Sequence, residues 1–191
     1  MAIVGERSYF HSLYQVAAEM NSACSTEEAL SSIVEITARV MGAKGCSLML
    51  LTPDRKLLLH TTAYGLSDWY IRKGSISADR SISEALEGEP VSILDATRDV
   101  RIQYQRQAEQ EGIVSILCVP MILRGQVIGV MRVYTGEMRD FTDDDVYFTC
   151  AVANLGAIAL ENATLFETSQ KEREALRQEM LERRATWGKS G

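Results

Sequence analysis

Apolar residues crowd the chain most densely between residues 112 and 134, where two runs, 113–123 and 126–134, flank Arg124-Gly125. Residues of high β propensity on either side of a short polar break predict an antiparallel hairpin closed by a tight turn. Between their ends the runs are interrupted only by Ser115, Gln126 and Arg132. Strands that are apolar on both sides have to be covered on both faces, so this hairpin belongs inside a sheet. Pro120 has no ladder donor, which predicts a bulge or a local edge in the first strand.

A helix start follows at Phe141-Thr-Asp-Asp-Asp145. Thr142 fits the N-cap, Asp145 the N3 position, and Phe141 can staple against Val146. The helix is expected to continue to about residue 186, with Val146, Cys150, Ala153, Leu155 and Ile158 toward the core. Residues 170–184 are mostly Glu, Arg, Lys and Gln, with Leu176, Met180 and Leu181 as the few apolar positions. A lone helix so charged is marginal in water, so its apolar seam is expected to meet a second copy.

Upstream, Phe10, Leu13, Tyr14, Ala17 and Met20 recur at three- and four-residue steps and predict a first amphipathic helix over 7–20. Ser25-Thr-Glu-Glu28 is a capping box opening a second helix, whose stripe of Leu30, Ile33, Val34, Thr37, Val40 and Met41 ends at Gly42. Residues 46–52 and 57–64 predict a hairpin around Pro53-Asp54-Arg55. Strict alternation would put Leu58, His60, Thr62 and Tyr64 on one face of its second strand. A less regular region follows, with Trp69, Tyr70, Ile71 and Gly74, a short helix over 81–86, a strand over 90–94, a polar loop 95–99 and a weak helix over 101–111 closed by Gly112.

This order predicts an α+β, layered α/β/α domain with a single antiparallel sheet of five or six strands. The N- and C-terminal helices cover one face, and a cap of short helices and loops lies over a pocket on the other. The expected divisions are 1–24 (interface helix), 25–165 (domain) and 166–191 (charged helical extension).

Composition narrows the function. A chain of 191 residues with 46% hydrophobic content can bury a full core, and a net charge of −6 with pI near 5.1 lacks the basic footprint of a nucleic-acid or membrane-surface binder. No apolar run approaches the ~20 residues of a membrane helix and no signal segment is legible, so a cytoplasmic location is expected. Cys24, Cys46, Cys118 and Cys150 are widely spaced without a Cys-x-x-Cys pair and are read as reduced, mostly buried thiols. With His11 and His60 the only histidines, there is no triad, zinc spacing, phosphate loop or nucleophile elbow.

Four segments, in order, resemble the GAF domain family of ligand-binding sensory modules: Ala63-Tyr64-Gly65-Leu66; Gly88-Glu-Pro-Val91 with Asp95-Ala-Thr-Arg-Asp99; Ile116-Leu-Cys-Val-Pro120 with Gly125-Gln-Val-Ile-Gly-Val130; and Phe141-Thr-Asp-Asp-Asp145. The resemblance covers about 25–165. It implies a ligand pocket under the segments between Gly65 and Gly112, homodimerisation through the outer helices, and a last helix that carries signal onward to a partner in trans.

The family's chemistries fit this chain unequally. Some GAF-like proteins reduce free methionine sulfoxide with pocket cysteines, but Cys46 and Cys118 sit in apolar runs where a thiol is inert. Tetrapyrrole-binding relatives often attach pigment at a Cys followed by His, whereas Ser25, Ser47, Val119 and Ala151 follow the cysteines here; no covalent bilin and no haem is expected. Cyclic-nucleotide-binding relatives carry Asn-Lys and Asp-Glu pairs where this chain has Thr135-Gly136 and Val146 after Asp145. The nominated ligand-binding residues are His60, Thr62, Tyr64, Trp69, Tyr70, Arg98 and Ser115, aromatic walls with a few polar groups that suit a small organic molecule. Three functions remain: a non-enzymatic sensor of an unidentified small molecule acting through a dimeric helical bundle, a ligand-free dimerisation or scaffold module, and the thiol reductase. Neither nucleic acid nor membrane is an expected partner.

Overall fold

The computed structural model describes residues 2–23, 25–78 and 83–187. Two helices lead the chain, α1 (Ala2–Ser22) and α2 (Thr26–Val40). Ser25 caps α2 by accepting from the Glu28 N–H at 3.1 Å, as its capping box predicts, and Gly42 leaves the helix at φ +56°. The hairpin β1 (Gly45–Leu51) and β2 (Leu57–Tyr64) comes next, then α3 (Asp68–Ile71), β3 (Ile76–Ser77), α4 (Ser83–Leu86), β4 (Val91–Ile93) and α5 (Gln105–Glu111). The chain returns through β5 (Ser115–Leu123) and β6 (Gln126–Thr135) and ends in the 45-residue α6 (Asp143–Trp187). α3 and β3, a single helical turn and a two-residue strand, carry too little periodicity to be read from sequence.

The six strands form one sheet in the order β3-β2-β1-β6-β5-β4, with every neighbouring pair antiparallel. Arg124 (φ +50°) and Gly125 (φ +75°) both take left-handed conformations, the turn that matches strand twist in a two-residue hairpin. β4 pairs only with Ile116–Cys118, so Pro120 falls on the stretch of β5 that β4 no longer covers. The register shift of the β5–β6 ladder lies one step later, between Met121 and Ile122, with Ile128 of β6 as the extra residue; there the Ile122 N–H donates to Asn154 Oδ1 of α6 at 3.1 Å.

Alternation along β6 divides the interior in two. Met131 and Val133 join Leu48, Leu117 and Val119 in a core under α1, α2 and α6, while Val130 and Tyr134 join Met49, Ile93 and Ile116 in a core under α3, α4 and α5. Gly129 sits where β6 crosses β1, and a Cβ there would lie 2.2 Å from the Met49 carbonyl oxygen.

α6 opens with the reciprocal cap that its sequence predicts. Thr142 Oγ1 accepts from the Asp145 N–H at 3.2 Å, and Asp145 Oδ2 accepts from the Thr142 N–H at 2.9 Å. Two helix faces differ from expectation. α1 turns Ser12 and Val16 inward, so Phe10 and Tyr14 stand outside at 73% and 70% exposure. α6 buries Phe148, Val152, Ala153 and Ala157, which rotates Ile158 toward solvent. Both apolar stripes are wider than one face, and at 100° per residue a one-position error moves a side chain across the boundary. By length and average composition α6 over Asp143–Gln178 is apolar enough to cross a membrane, although polar residues interrupt it throughout; its first half is packed on the sheet.

Candidate functional site

One charged residue is embedded in the cap-side core. Arg132, in the middle of β6, is 4% exposed and lies in register with Ser47 of β1 and Cys118 of β5. Its guanidinium bonds the Cys118 thiol, and burial is the chief influence on its acidity, opposed by the neighbouring thiol and phenols. Taking a guanidinium out of water costs several kcal/mol even when it is partnered. An apolar side chain buried there would instead contribute about 1.5–3 kcal/mol. Packing alone therefore gives no reason for an arginine at this position.

The cluster extends from Arg132 toward β2. The Tyr134 hydroxyl is 2.9 Å from Ser47 Oγ, and the Tyr70 ring meets Tyr134 edge-on at 6.2 Å. Lys73 Nζ lies 3.5 Å from the centre of the Tyr70 ring, donates to the Tyr70 carbonyl at 2.9 Å, and is 3.5 Å from His60 Nε2. His60 Nδ1 is buried and has no hydrogen-bond partner among the described residues. An unmet buried polar atom costs about 1–3 kcal/mol. Glu111, whose charge opposes that of Arg132 at Lys73, has both carboxylate oxygens committed to Ser67 of the α3 cap.

These surroundings disfavour added positive charge. Burial, then Lys73 and Arg132, lowers the His60 pKa to about 4; burial, then Arg132, lowers that of Lys73 to about 7. Burial also pushes the Tyr134 phenol up to about 12 and raises the thiols of Cys118 and Cys46.

Of the seven nominated residues, only His60 and Tyr70 join this cluster. Thr62 and Tyr64 were expected on the His60 face, and the reason they are not is a bulge. Leu48 pairs with Thr62 but Met49 pairs with His60, so Thr61 is an extra residue and alternation inverts across it. Thr62 Oγ1 is 3.4 Å from Ser31 Oγ of α2, and Tyr64 packs in the helix-side core beneath Arg39. Trp69 is 45% exposed and stacks edge-on against Tyr70 from outside. The Arg98 side chain is 87% exposed and pairs with Asp95 at 3.6 Å. Ser115 is fully buried, donating to the Leu94 carbonyl at 2.6 Å and accepting from the Arg139 N–H at 2.9 Å.

Sequence reasoning missed Lys73 and did not assign Arg132. The signal for Arg132 was present: it shares a strand face with Val130 and Tyr134 inside an apolar run. Lys73 follows an irregular turn and has no periodic signature.

Side chains fill the cap interior; Tyr70, Ile76, Ile93 and Tyr134 are each at most 3% exposed. Open volumes lie at the rim of the cap and outside it. A groove of about 970 Å³ between α1, α2 and α6 is lined by Met20, Leu155, Ile158 and Phe166, among others. A hollow of about 330 Å³ lies between Phe10 and Tyr147, and another of about 330 Å³ sits at the cap rim beside Leu51, Arg55 and Leu86.

The fold is thus a single antiparallel sheet with polar groups buried under a cap on one face and long helices on the other. The GAF domain family model matches residues 25–160, and the chain belongs to that family. GAF domains are in general non-catalytic regulatory modules. The chain is 26% identical over 155 residues to a phosphoenolpyruvate-dependent phosphotransferase system protein of Escherichia coli (strain K12); the match covers 80% of this chain and 21% of that protein. The GAF domain of a Coxiella burnetii phosphoenolpyruvate-protein phosphotransferase superposes with TM-score 0.76 at 20% identity, covering 85% of this chain and 98% of that one. The corresponding Acinetobacter domain gives 0.71 at 21% identity, with 84% and 97% covered. Free methionine-R-sulfoxide reductase from Neisseria meningitidis, in complex with its substrate, gives 0.68 at 16% identity, with 82% and 90% covered. Identities this low speak for the fold.

Proposed function

We propose that this chain is a cytoplasmic, non-enzymatic sensory module that binds a small molecule under its cap and signals through a homodimeric helical bundle to a partner in trans. The observation that carries this reading is the Arg132–His60–Lys73 cluster, polar chemistry placed at a cost to stability on the cap face of the central strands. The sheet is the coupler in this reading, because β6 belongs to both layers, with Arg132 and Tyr134 under the cap and Met131 and Val133 under the helices. Four residues after β6 ends, Arg139 bonds the Met41 carbonyl at the end of α2 and Asp145 in the first turn of α6. A ligand that shifts β6 therefore acts on the contacts that hold the helix layer together. A thermal-shift screen of the full chain across amino acids, organic acids, nucleotides and tetrapyrroles tests the reading. At least one class should stabilise the protein, and indifference to all of them would reject it.

The filled cap interior favours a second reading, a ligand-free dimerisation or scaffold module. The reductase reading is weakest, because Cys46 faces the helix-side core and Cys118 the cap-side core, with the sheet between them.

A further inference from the structure

Exposed apolar side chains gather along one seam of the helix layer. Phe10 and Tyr14 of α1 and Tyr147, Ile158, Leu165 and Phe166 of α6 all face outward. Between the two helices the seam opens first into the hollow walled by Phe10 and Tyr147, then into the larger groove beside Met20 and Phe166. A contiguous apolar face of this kind marks an interaction surface.

The far half of α6 has the length, the pattern and the charge to cover it. Among the described residues none of α6 after Ala157 is buried. Leu165 divides the helix into two halves of about 33 Å, residues 143–165 and residues 165–187. The extension is therefore as long as the seam beside the first half. Steps of three and four residues carry one face of α6 from residue 147 to residue 183. A two-fold axis crossing the helix between Ala163 and Thr164 sets the partner's Met180 against Tyr147 and the partner's Leu176 against Ala151. It also sets the partner's Ser169 against Ile158 and the partner's Leu165 against Asn162, so in each pair a larger side chain meets a smaller one.

Charge decides the direction. Asp140, Asp143 and Asp144 are exposed at the start of α6, and Asp144 lines the hollow beside Tyr147. In the last two turns Arg183 and Arg184 outnumber Glu182. Antiparallel pairing brings the acidic start of each helix to the arginine-bearing end of the other. Parallel pairing sets aspartates against aspartates and arginines against arginines, which is repulsive at both ends.

We infer that a second copy of this chain covers the seam in antiparallel orientation, the partner's Leu176 and the partner's Met180 closing the hollow at Phe10 and Tyr147, and the partner's Arg183 and the partner's Arg184 meeting the acidic start of α6. The inference rests on the dimeric part of the reading above and fixes the arrangement of its bundle. It places each extension beside the first turn of the other copy's α6, the turn that Arg139 holds through Asp145. A shift of that turn in one copy then acts on the extension of the other.

The test is disulfide trapping in the full chain. In the antiparallel pair the two copies of residue 147 lie about 50 Å apart, against the ~7 Å between Cα atoms within which a disulfide forms. Neither Tyr147→Cys nor Met180→Cys should cross-link alone, while an equal mixture of the two, left to exchange subunits and then mildly oxidised, should give a covalent dimer. The natural chain oxidised alongside accounts for the four native cysteines. Both substitutions fall at exposed positions, and each variant is checked for a native thermal transition. Arg183→Glu with Arg184→Glu should weaken the dimer about tenfold in sedimentation, and adding Asp143→Arg and Asp144→Arg to the same chain should restore it. If each single cysteine variant cross-links by itself, or if a stable dimer forms that the mixture does not trap, the antiparallel assignment is wrong while the dimeric reading stands. If the chain is monomeric at every concentration, both fail.

Discussion

The Tyr9 hydroxyl donates to the Asp145 carboxylate, joining the first helix to the start of the last across 136 positions of chain. Asp145 also accepts from Arg139 at 3.0 Å and from the Thr142 N–H at 2.9 Å, and the Tyr9 ring stacks on Phe148 at 4.7 Å. Burial pushes the Asp145 carboxyl upward, but the bonds from Tyr9, Thr142 and Arg139 outweigh it and hold the pKa below the usual range. Asp145→Ala removes a helix cap and leaves the Arg139 charge without its partner, so it should cost about 3–5 kcal/mol of unfolding free energy. Tyr9→Phe keeps the ring stack and should cost about 2 kcal/mol. Urea denaturation of both variants measures this.

Acid should destabilise the protein through two groups of known sign. His60 has its pKa lowered from 6.5 to about 4, so the unfolded chain binds more protons in that interval and stability rises with pH across it. Asp145, also lowered, contributes stability that is present above its unfolded value of 3.8 and lost as pH falls through its folded value. Melting temperature should therefore climb from pH 4 to 6.5 in the natural chain, and less steeply in His60→Phe. Lys73, lowered from 10.5 to about 7, adds a further rise above pH 7 that Lys73→Met should remove.

Gly129→Ala should be among the most damaging single-atom additions. Its Cβ would fall 2.2 Å from the Met49 carbonyl, in the ladder between the two central strands, where neither backbone can move aside. A loss of about 3 kcal/mol or of soluble expression is expected, whereas adding a methyl at Gly136, whose nearest neighbour is 3.4 Å away at the Gly112 carbonyl, should be far milder.

The proposed homodimer has its own test. Phe10 and Tyr147 are 73% and 71% exposed and line one hollow between α1 and α6. Phe10→Glu and Tyr147→Glu should leave monomer stability within about 0.5 kcal/mol, as exposed substitutions do, and should halve the mass measured by light scattering.

The central hairpin and the Thr142–Asp145 cap were legible because each is a local signal, continuous apolarity around a two-residue turn and a reciprocal side-chain pattern. The candidate site was not, because it depends on how strands register. One unpaired residue, Thr61, separates His60 from Thr62 and Tyr64, and nothing in the string Leu-Leu-Leu-His-Thr-Thr-Ala-Tyr marks it. Arg132 was visible as a polar interruption, but nothing in the string shows that the fold brings His60 and Lys73 within reach of its charge. The outward turn of Phe10, Tyr14 and Ile158 escaped notice for the opposite reason: apolar residues there outnumber the positions one helix face can bury.

Native mass spectrometry of the full chain, purified without added ligand, tests the central claim most directly. The account predicts a small molecule retained on the natural chain and absent from Lys73→Met. The same bare mass for both proteins, each otherwise folded, would contradict it.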